Sequence, residues 1–194
     1  DGDIDILTFH QGGQHVEYHQ NQSMELYGIP DSLIFELKNE CWGLFTEEFS
    51  TNTLTLNDPN APCVGGSIPN PLRESEVQHL AKHAGSTLLA LDYDNSGVMD
   101  LVLGDVSYPT MTLLLNGGSA PNTNSAMISQ DNSFPSNTTP ISIQLFPAAF
   151  YVDVDFDSKR DLVVGANARN ISENERSILY YKNIGTDANP TFSF

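Results

Sequence analysis

Apolar residues in this chain come in short runs with β-branched content, broken by polar turns. The alternation predicts strands at 86–91, 100–104, 110–115, 149–153, 161–165 and 177–182. One segment has a different period. In "NPLRESEVQHLAKHAG", residues 70–85, Leu72, Val77, Leu80, Ala81 and Ala84 recur at helical spacing. Asn70 suits the cap, Pro71 the first turn and Gly85 the end of that helix. The apolar stretch "DSLIFELKNECWGLF", residues 31–45, is expected to be partly helical. Residues 51–70 and 117–140 are polar loops.

The strands repeat. "LDYDNSGVMDLVLGD", residues 91–105, aligns with "VDVDFDSKRDLVVG", residues 152–165. Asp92 matches Asp153, Asp94 matches Asp155, Ser96 matches Asp157 and Asp100 matches Asp161. Each copy continues with Leu-Val, a glycine (Gly104, Gly165), a polar turn, a second strand and Asn-x-Gly. The opening "DGDIDIL" is a truncated third copy, with Asp1 at the fifth position, Gly2 at the sixth and Asp5 at the ninth. The first two acidic positions would lie upstream of Asp1. The ninth positions are 95 and 61 residues apart, so the first copy carries an insertion within residues 24–84. These boundaries divide the chain into a partial unit at 1–23, the insertion at 24–85, and units at 86–148 and 149–194.

Acidic side chains at positions one, three, five and nine, with glycine at six, are the ligand pattern of a calcium loop. Calcium takes six to eight hard oxygens in flexible geometry. Alternating short carboxylates in a tight turn converge, and the seventh carbonyl can join them. The expected ligands are Asp92, Asp94, Ser96, the Val98 carbonyl and Asp100 in one loop. In the other they are Asp153, Asp155, Asp157, the Lys159 carbonyl and Asp161, with Asp1 and Asp5 remaining in the first copy. No EF-hand is present, because position twelve is Leu103 or Val164 rather than glutamate. One such loop alone also suits an Asx-rich turn; three aligned copies favour the ion. Ser96 in place of a carboxylate is expected to weaken its site. Ser158 in place of glycine is expected to strain the turn or change its shape.

Composition narrows the function classes. The net charge is −17 over 194 residues, which excludes a phosphate-binding nucleic-acid surface and an anionic membrane surface as partners. Bound cations would relieve the charge, and a solvated acidic surface would also account for it. No run of 18 apolar residues occurs, so no membrane insertion is expected. The start "DGDIDILTF" is neither a signal peptide nor an initiator methionine, as expected of a processed or excised chain. Cys41 and Cys63 form no CxxC pair and no zinc set. A disulfide between them is expected if the protein is secreted, worth roughly 3 kcal/mol; otherwise both are buried thiols.

Other candidates are weaker. His10, His15 and His19 are close in sequence and are candidate transition-metal ligands, but strand spacing is expected to scatter them, and no carboxylate completes a known pattern. His79 and His83 share a helical face that is expected to be solvated. Glu47 and Glu48 are adjacent on a strand and should point opposite ways, which spoils them as a catalytic pair. Trp42, Phe45 and Phe49 are expected to pack in a core rather than stack on sugars. No G-x-S-x-G, H-E-x-x-H or P-loop occurs.

"LDYDNSGVMDLVLGD…LLLNGGS" and "VDVDFDSKRDLVVGA…ILYYKNIGT" resemble FG-GAP/VCBS repeats, the blades of integrin-like β-propellers. The version with "ECWGLF…CVGG" and "HAGSTLLALDYD" is similar to that of large secreted Bacteroidetes surface proteins. The resemblance implies a mainly β fold of four-stranded propeller blades, here about three repeats with a small helical insertion. It implies structural Ca2+ at one end of each blade and an extracellular, cell-surface location. It also implies a non-enzymatic binding or adhesion role towards a protein or glycan ligand of the cell surface or matrix, within a larger chain or assembly. The rival expectation is a carbohydrate-binding or carbohydrate-active part of an extracellular enzyme.

Overall fold

The computed structural model describes residues 2–10, 13–48, 51–57, 86–121, 123–168, 170, 173 and 175–194. Their fold is mainly β, with four antiparallel sheets and one five-residue helix. The chain divides into two compact units, Asp1–Gly85 with Asn124–Ala126, and Ser86–Thr123 with Met127–Phe194. Among the described residues no helix is long and apolar enough to cross a membrane.

In the first unit, β1 (Ile6–Phe9), β2 (Val16–Asn21) and β3 (Phe35–Trp42) form a sheet in that order. Helix α1 (Ser23–Tyr27) follows β2 and ends at Gly28, whose φ of 69° is left-handed. β4 (Phe45–Glu48) and β5 (Thr53–Leu56) form a separate hairpin. The expectation of partial helix in 31–45 is corrected. Phe35 and Leu37 alternate with Glu36 and Lys38, and this two-residue period pairs β3 with β2 from Asn21↔Phe35 to Val16↔Trp42. The helix expected at 70–85, with His79 and His83, lies outside the described residues, as do Phe49 and Cys63. The expected Cys41–Cys63 pairing therefore lies outside them too.

The second unit holds two four-stranded sheets. One comprises β6 (Thr87–Leu91), β7 (Asp100–Gly104), β8 (Met111–Asn116) and β9 (Met127–Asp131). The other comprises β10 (Pro147–Val152), β11 (Asp161–Ala166), β12 (Ile178–Asn183) and β13 (Phe192–Ser193). All six strands predicted in this unit are present. The reading of 117–140 as plain loop is corrected. It contains β9, which is recruited by pairing with β8, and Phe134, which is fully buried. β9 buries only Met127, so its own pattern is too polar to mark a strand.

The two sheets pack face to face. Leu91, Val102, Met111 and Leu113 meet Ala149, Leu162, Val164 and Tyr181 in one core, with Phe134, Ile141 and Phe192 closing it. Gly104 lies at the closest approach. A methyl there would come within 2.0 Å of the Pro147 carbonyl oxygen, so only glycine fits. β7 is buried at all five positions, on both faces. The last sheet differs: Phe150, Val152, Ile178 and Tyr180 share its other face and are all exposed.

Candidate metal centres

The two complete acidic loops have the same backbone. Loop 92–100 joins β6 to β7, and loop 153–161 joins β10 to β11. In one, the Gly97 N–H donates to Asp92 Oδ2 at 3.0 Å; in the other, the Ser158 N–H donates to Asp153 Oδ2 at 3.1 Å. Asn95 and Phe156, both at position four, have φ of 61° and 60°. Gly97 and Ser158, both at position six, have φ of 86° and 69°. Ser158 therefore does not alter the turn; it adopts the left-handed backbone that glycine takes more readily.

These turns bring the carboxylates together. Oxygens of Asp92, Asp94 and Asp100 lie within 4.8 Å of one another, and so do those of Asp153, Asp155 and Asp161. Each loop also holds a buried oxygen with no hydrogen-bond partner among the described residues, Ser96 Oγ in one and Asp153 Oδ1 in the other. Buried acceptors are normally satisfied. Three converging carboxylates in a loop that also leaves a buried oxygen unsatisfied fit a bound cation, which would supply a partner and cancel the repulsion.

The ninth-position aspartates are anchored from behind. Asp100 Oδ1 accepts the Asn116 N–H at 2.7 Å and its Oδ2 the Tyr93 N–H at 2.8 Å. Asp161 accepts the Asn183 N–H at 2.8 Å, the Val154 N–H at 3.2 Å and the Tyr180 hydroxyl at 3.1 Å. Both aspartates are completely buried. Burial pushes the Asp100 carboxyl pKa up, and the two backbone donors partly offset that. Both Asp100 oxygens keep a lone pair for an ion; in Asp161 only Oδ1 does, because Oδ2 accepts both the Val154 N–H and the Tyr180 hydroxyl.

The first copy shares the anchor without the cluster. Asp5 accepts the Asn21 N–H at 2.8 Å and the Tyr18 hydroxyl at 2.9 Å. Asp1 lies outside the described residues, and Asp5 joins no group of converging metal ligands among those described.

The other expected ligands are placed as follows. Val98 buries its side chain at 5% exposure. Asp157 accepts the Lys159 N–H at 3.0 Å, and its other oxygen lies 3.2 Å from Lys182 Nζ. Lys182 also pairs with Asp155. That hydrogen bond is the main cause that lowers the Asp155 pKa and raises that of Lys182. Lys182 was not marked by the sequence, because it sits on β12, 25 residues past Asp157. Arg160 turns away from the loop. Its backbone N–H and Nε bond Asp187 at 2.6 and 2.8 Å, and its guanidinium lies 4.5 Å from the Tyr151 ring centre. Among the described residues no lysine or arginine pairs with Asp92, Asp94 or Asp100.

A third group joins two of the candidate histidines to a carboxylate that the sequence did not mark. Ligand atoms of His10, His15 and Glu17 lie within 4.8 Å of one another. The expected scattering of the histidines is corrected: residues 15, 17 and 19 share one face by the two-residue period, and the β1–β2 register sets His10 opposite His15. Glu17 supplies the carboxylate. Burial, reinforced by His10 and opposed by Glu17, lowers the His15 pKa to about 4.

Glu47 is buried and Glu48 exposed on β4, on opposite faces as expected, and Phe45 is a core residue at 1% exposure. Compared with family models, curated proteins and solved structures, the chain matches none.

Proposed function

We propose that this chain is a calcium-stabilised, propeller-type β segment that acts as an extracellular binding or adhesion module, with calcium in a structural role. The observation that carries the calcium is the pair of loops with matching turns. Each brings three carboxylates together and holds a buried oxygen that lacks a partner, Ser96 Oγ in one and a cluster oxygen of Asp153 in the other. An all-oxygen donor set from short side chains suits a hard cation of calcium size. The ligands at 92–100 are Asp92, Asp94, Ser96, the Val98 carbonyl and Asp100; at 153–161 they are Asp153, Asp155, Asp157, the Lys159 carbonyl and Asp161. When bound, the ion neutralises the carboxylates and ties the turn, so its binding is coupled to folding.

Stacking of repeated sheets is supported by a second pair of equivalent positions. At Gly104 the Pro147 carbonyl of the next sheet presses close; at the aligned Gly165 the nearest such atom is 3.9 Å away. Gly165 lies on the face where Phe150, Ile178 and Tyr180 are exposed. A sheet apolar on both faces requires a cover on both. In this reading a further sheet, of this chain or another, takes that place. Ligand recognition falls to the loops, since scaffolds carry function there. The partner is a protein or glycan of the cell surface or matrix.

Thermal unfolding tests the reading. The melting temperature should fall in chelator and recover with calcium but not with magnesium, and Asp92→Ala and Asp153→Ala should each remove part of the recovery. A melting curve indifferent to chelator would make the carboxylates turn formers and remove the calcium. Binding of glycan and matrix panels without turnover is expected; turnover that depends on a carboxylate outside the loops would replace the adhesion role with an enzymatic one.

A further inference from the structure

We propose that His10, His15 and Glu17 form a second kind of metal site, for a divalent transition ion of the zinc type, at the end of the β1–β2 hairpin. The backbone sets the positions first. His10 N–H donates to the His15 carbonyl at 2.9 Å, and Gly13 N–H to the His10 carbonyl at 2.6 Å, so the two histidines face each other across the closing turn. Their rings stack, with centres 4.5 Å apart and planes 16° from parallel. Glu17 lies two residues beyond His15, on the same face of β2.

His15 is the unusual member. It is 6% exposed, and its Nδ1 has no hydrogen-bond partner among the described residues. A buried ring nitrogen left unsatisfied is costly, and an ion is one way to satisfy it. The three ligand atoms lie within 4.8 Å of one another. Tetrahedral zinc, with nitrogens at about 2.0–2.1 Å, spaces its donors roughly 3.4 Å apart; the set closes when the partly exposed His10 ring turns out of the stack to aim its lone pair at the ion. Glu17 is already oriented: His19 Nε2 lies 3.1 Å from its Oε2. A ligating carboxylate held by an outer partner is a common feature of metal sites.

Two imidazoles and one carboxylate select a different ion from the aspartate loops. Imidazole suits zinc, copper, nickel and iron, whereas calcium and magnesium prefer oxygen alone. Three protein ligands also leave a coordination position open. The site is thus independent of the calcium reading.

Cobalt(II), titrated into the 194-residue chain in calcium-saturated buffer, provides the test. The expected result is one equivalent bound with intense d–d bands, because nitrogen donors in a four-coordinate site give them and aspartate loops do not. One equivalent of zinc should displace the bands and raise the melting temperature. His10→Gln and Glu17→Gln, both at partly exposed positions, should each weaken cobalt at least about tenfold, and His19→Gln by about tenfold. Absence of the bands in a folded chain overturns the site. So do bands that survive unchanged in the folded His10→Gln/Glu17→Gln double variant.

Discussion

Asp161 Oδ1 accepts the backbone N–H of Asn183 at 2.8 Å, joining the end of a loop to the end of the second strand beyond it. The same link recurs between Asp100 and Asn116 at 2.7 Å and between Asp5 and Asn21 at 2.8 Å. Each asparagine then accepts, through Oδ1, the N–H two residues on, at Ser23, Gly118 and Gly185. The ninth-position aspartate is therefore a brace of the sheet as well as a candidate ligand.

The two roles separate by mutation. Asp161→Ala would orphan the buried Asn183 N–H and two further donors, at a cost of about 3 kcal/mol that remains in chelator. Asp94→Ala removes an exposed carboxylate that accepts the Ser96 N–H at 3.0 Å. Without calcium its effect should stay within about 0.5 kcal/mol, and the calcium-dependent gain should shrink. Chemical denaturation of both variants, with calcium and with chelator, reads out the difference. A loss in chelator no larger for Asp161→Ala than for Asp94→Ala would contradict the brace.

Ser158 and Phe156 hold left-handed φ of 69° and 60°. Ser158→Gly relieves that strain, less the extra freedom glycine has in the unfolded chain, for a net gain of about 0.5–1 kcal/mol. Phe156 is 90% exposed, so its ring contributes little packing to offset its backbone. Phe156→Asn, which copies Asn95 of the other loop, should stabilise by a similar amount. Urea midpoints that fall for both variants would show that these residues are held by something other than the turn.

The loops and the six strands around them were legible because spacing alone carries them: period two in the apolar residues, and carboxylates at fixed offsets. What stayed hidden depends on register. His10 and Glu17 are seven residues apart, and only the pairing of β1 with β2 puts them on one face. Lys182 reaches Asp155 and Asp157 from the neighbouring strand of a hairpin. β9 has a polar pattern and exists because β8 offers it an edge. In 31–45 the count of apolar residues suggested helix, while the alternation within Phe35–Trp42 already fitted a strand.

Lys182 places a tethered ammonium against two of the carboxylates expected to bind calcium, and Leu115 stands at the aligned position of the other loop. Calcium must displace that ammonium at 153–161 and meets no such rival at 92–100. Lys182→Met, which keeps the aliphatic stem, should raise calcium affinity at 153–161 roughly two- to fivefold, the scale of an exposed ion pair. Titration in an Asp92→Ala/Asp94→Ala background isolates that site. A weaker site in the variant would mean that Lys182 organises the loop instead of competing for it.

His15 should make the hairpin acid-sensitive in the metal-free protein. Its pKa is about 4 in the fold, below the ordinary histidine value near 6.5. Between those values the unfolded chain takes up a proton that the folded chain refuses. Stability is therefore complete above about pH 6.5 and declines as pH falls, by a total on the order of 3 kcal/mol by pH 4. His10 across the turn opposes the charged ring, Glu17 favours it, and β4 packs on the same turn through the Glu47 N–H to the Gln14 carbonyl at 2.8 Å. Asp100 in the other unit has the opposite sign. Its folded pKa is raised, so protonation favours its fold as pH drops. A single melting curve would mix the two, so amide exchange is the better measurement. The amides of β2 should lose protection from pH 6.5 towards 4 while those of β7 do not, and His15→Gln should flatten the β2 profile. Parallel loss in both strands would assign the acid sensitivity to general charge effects rather than to His15.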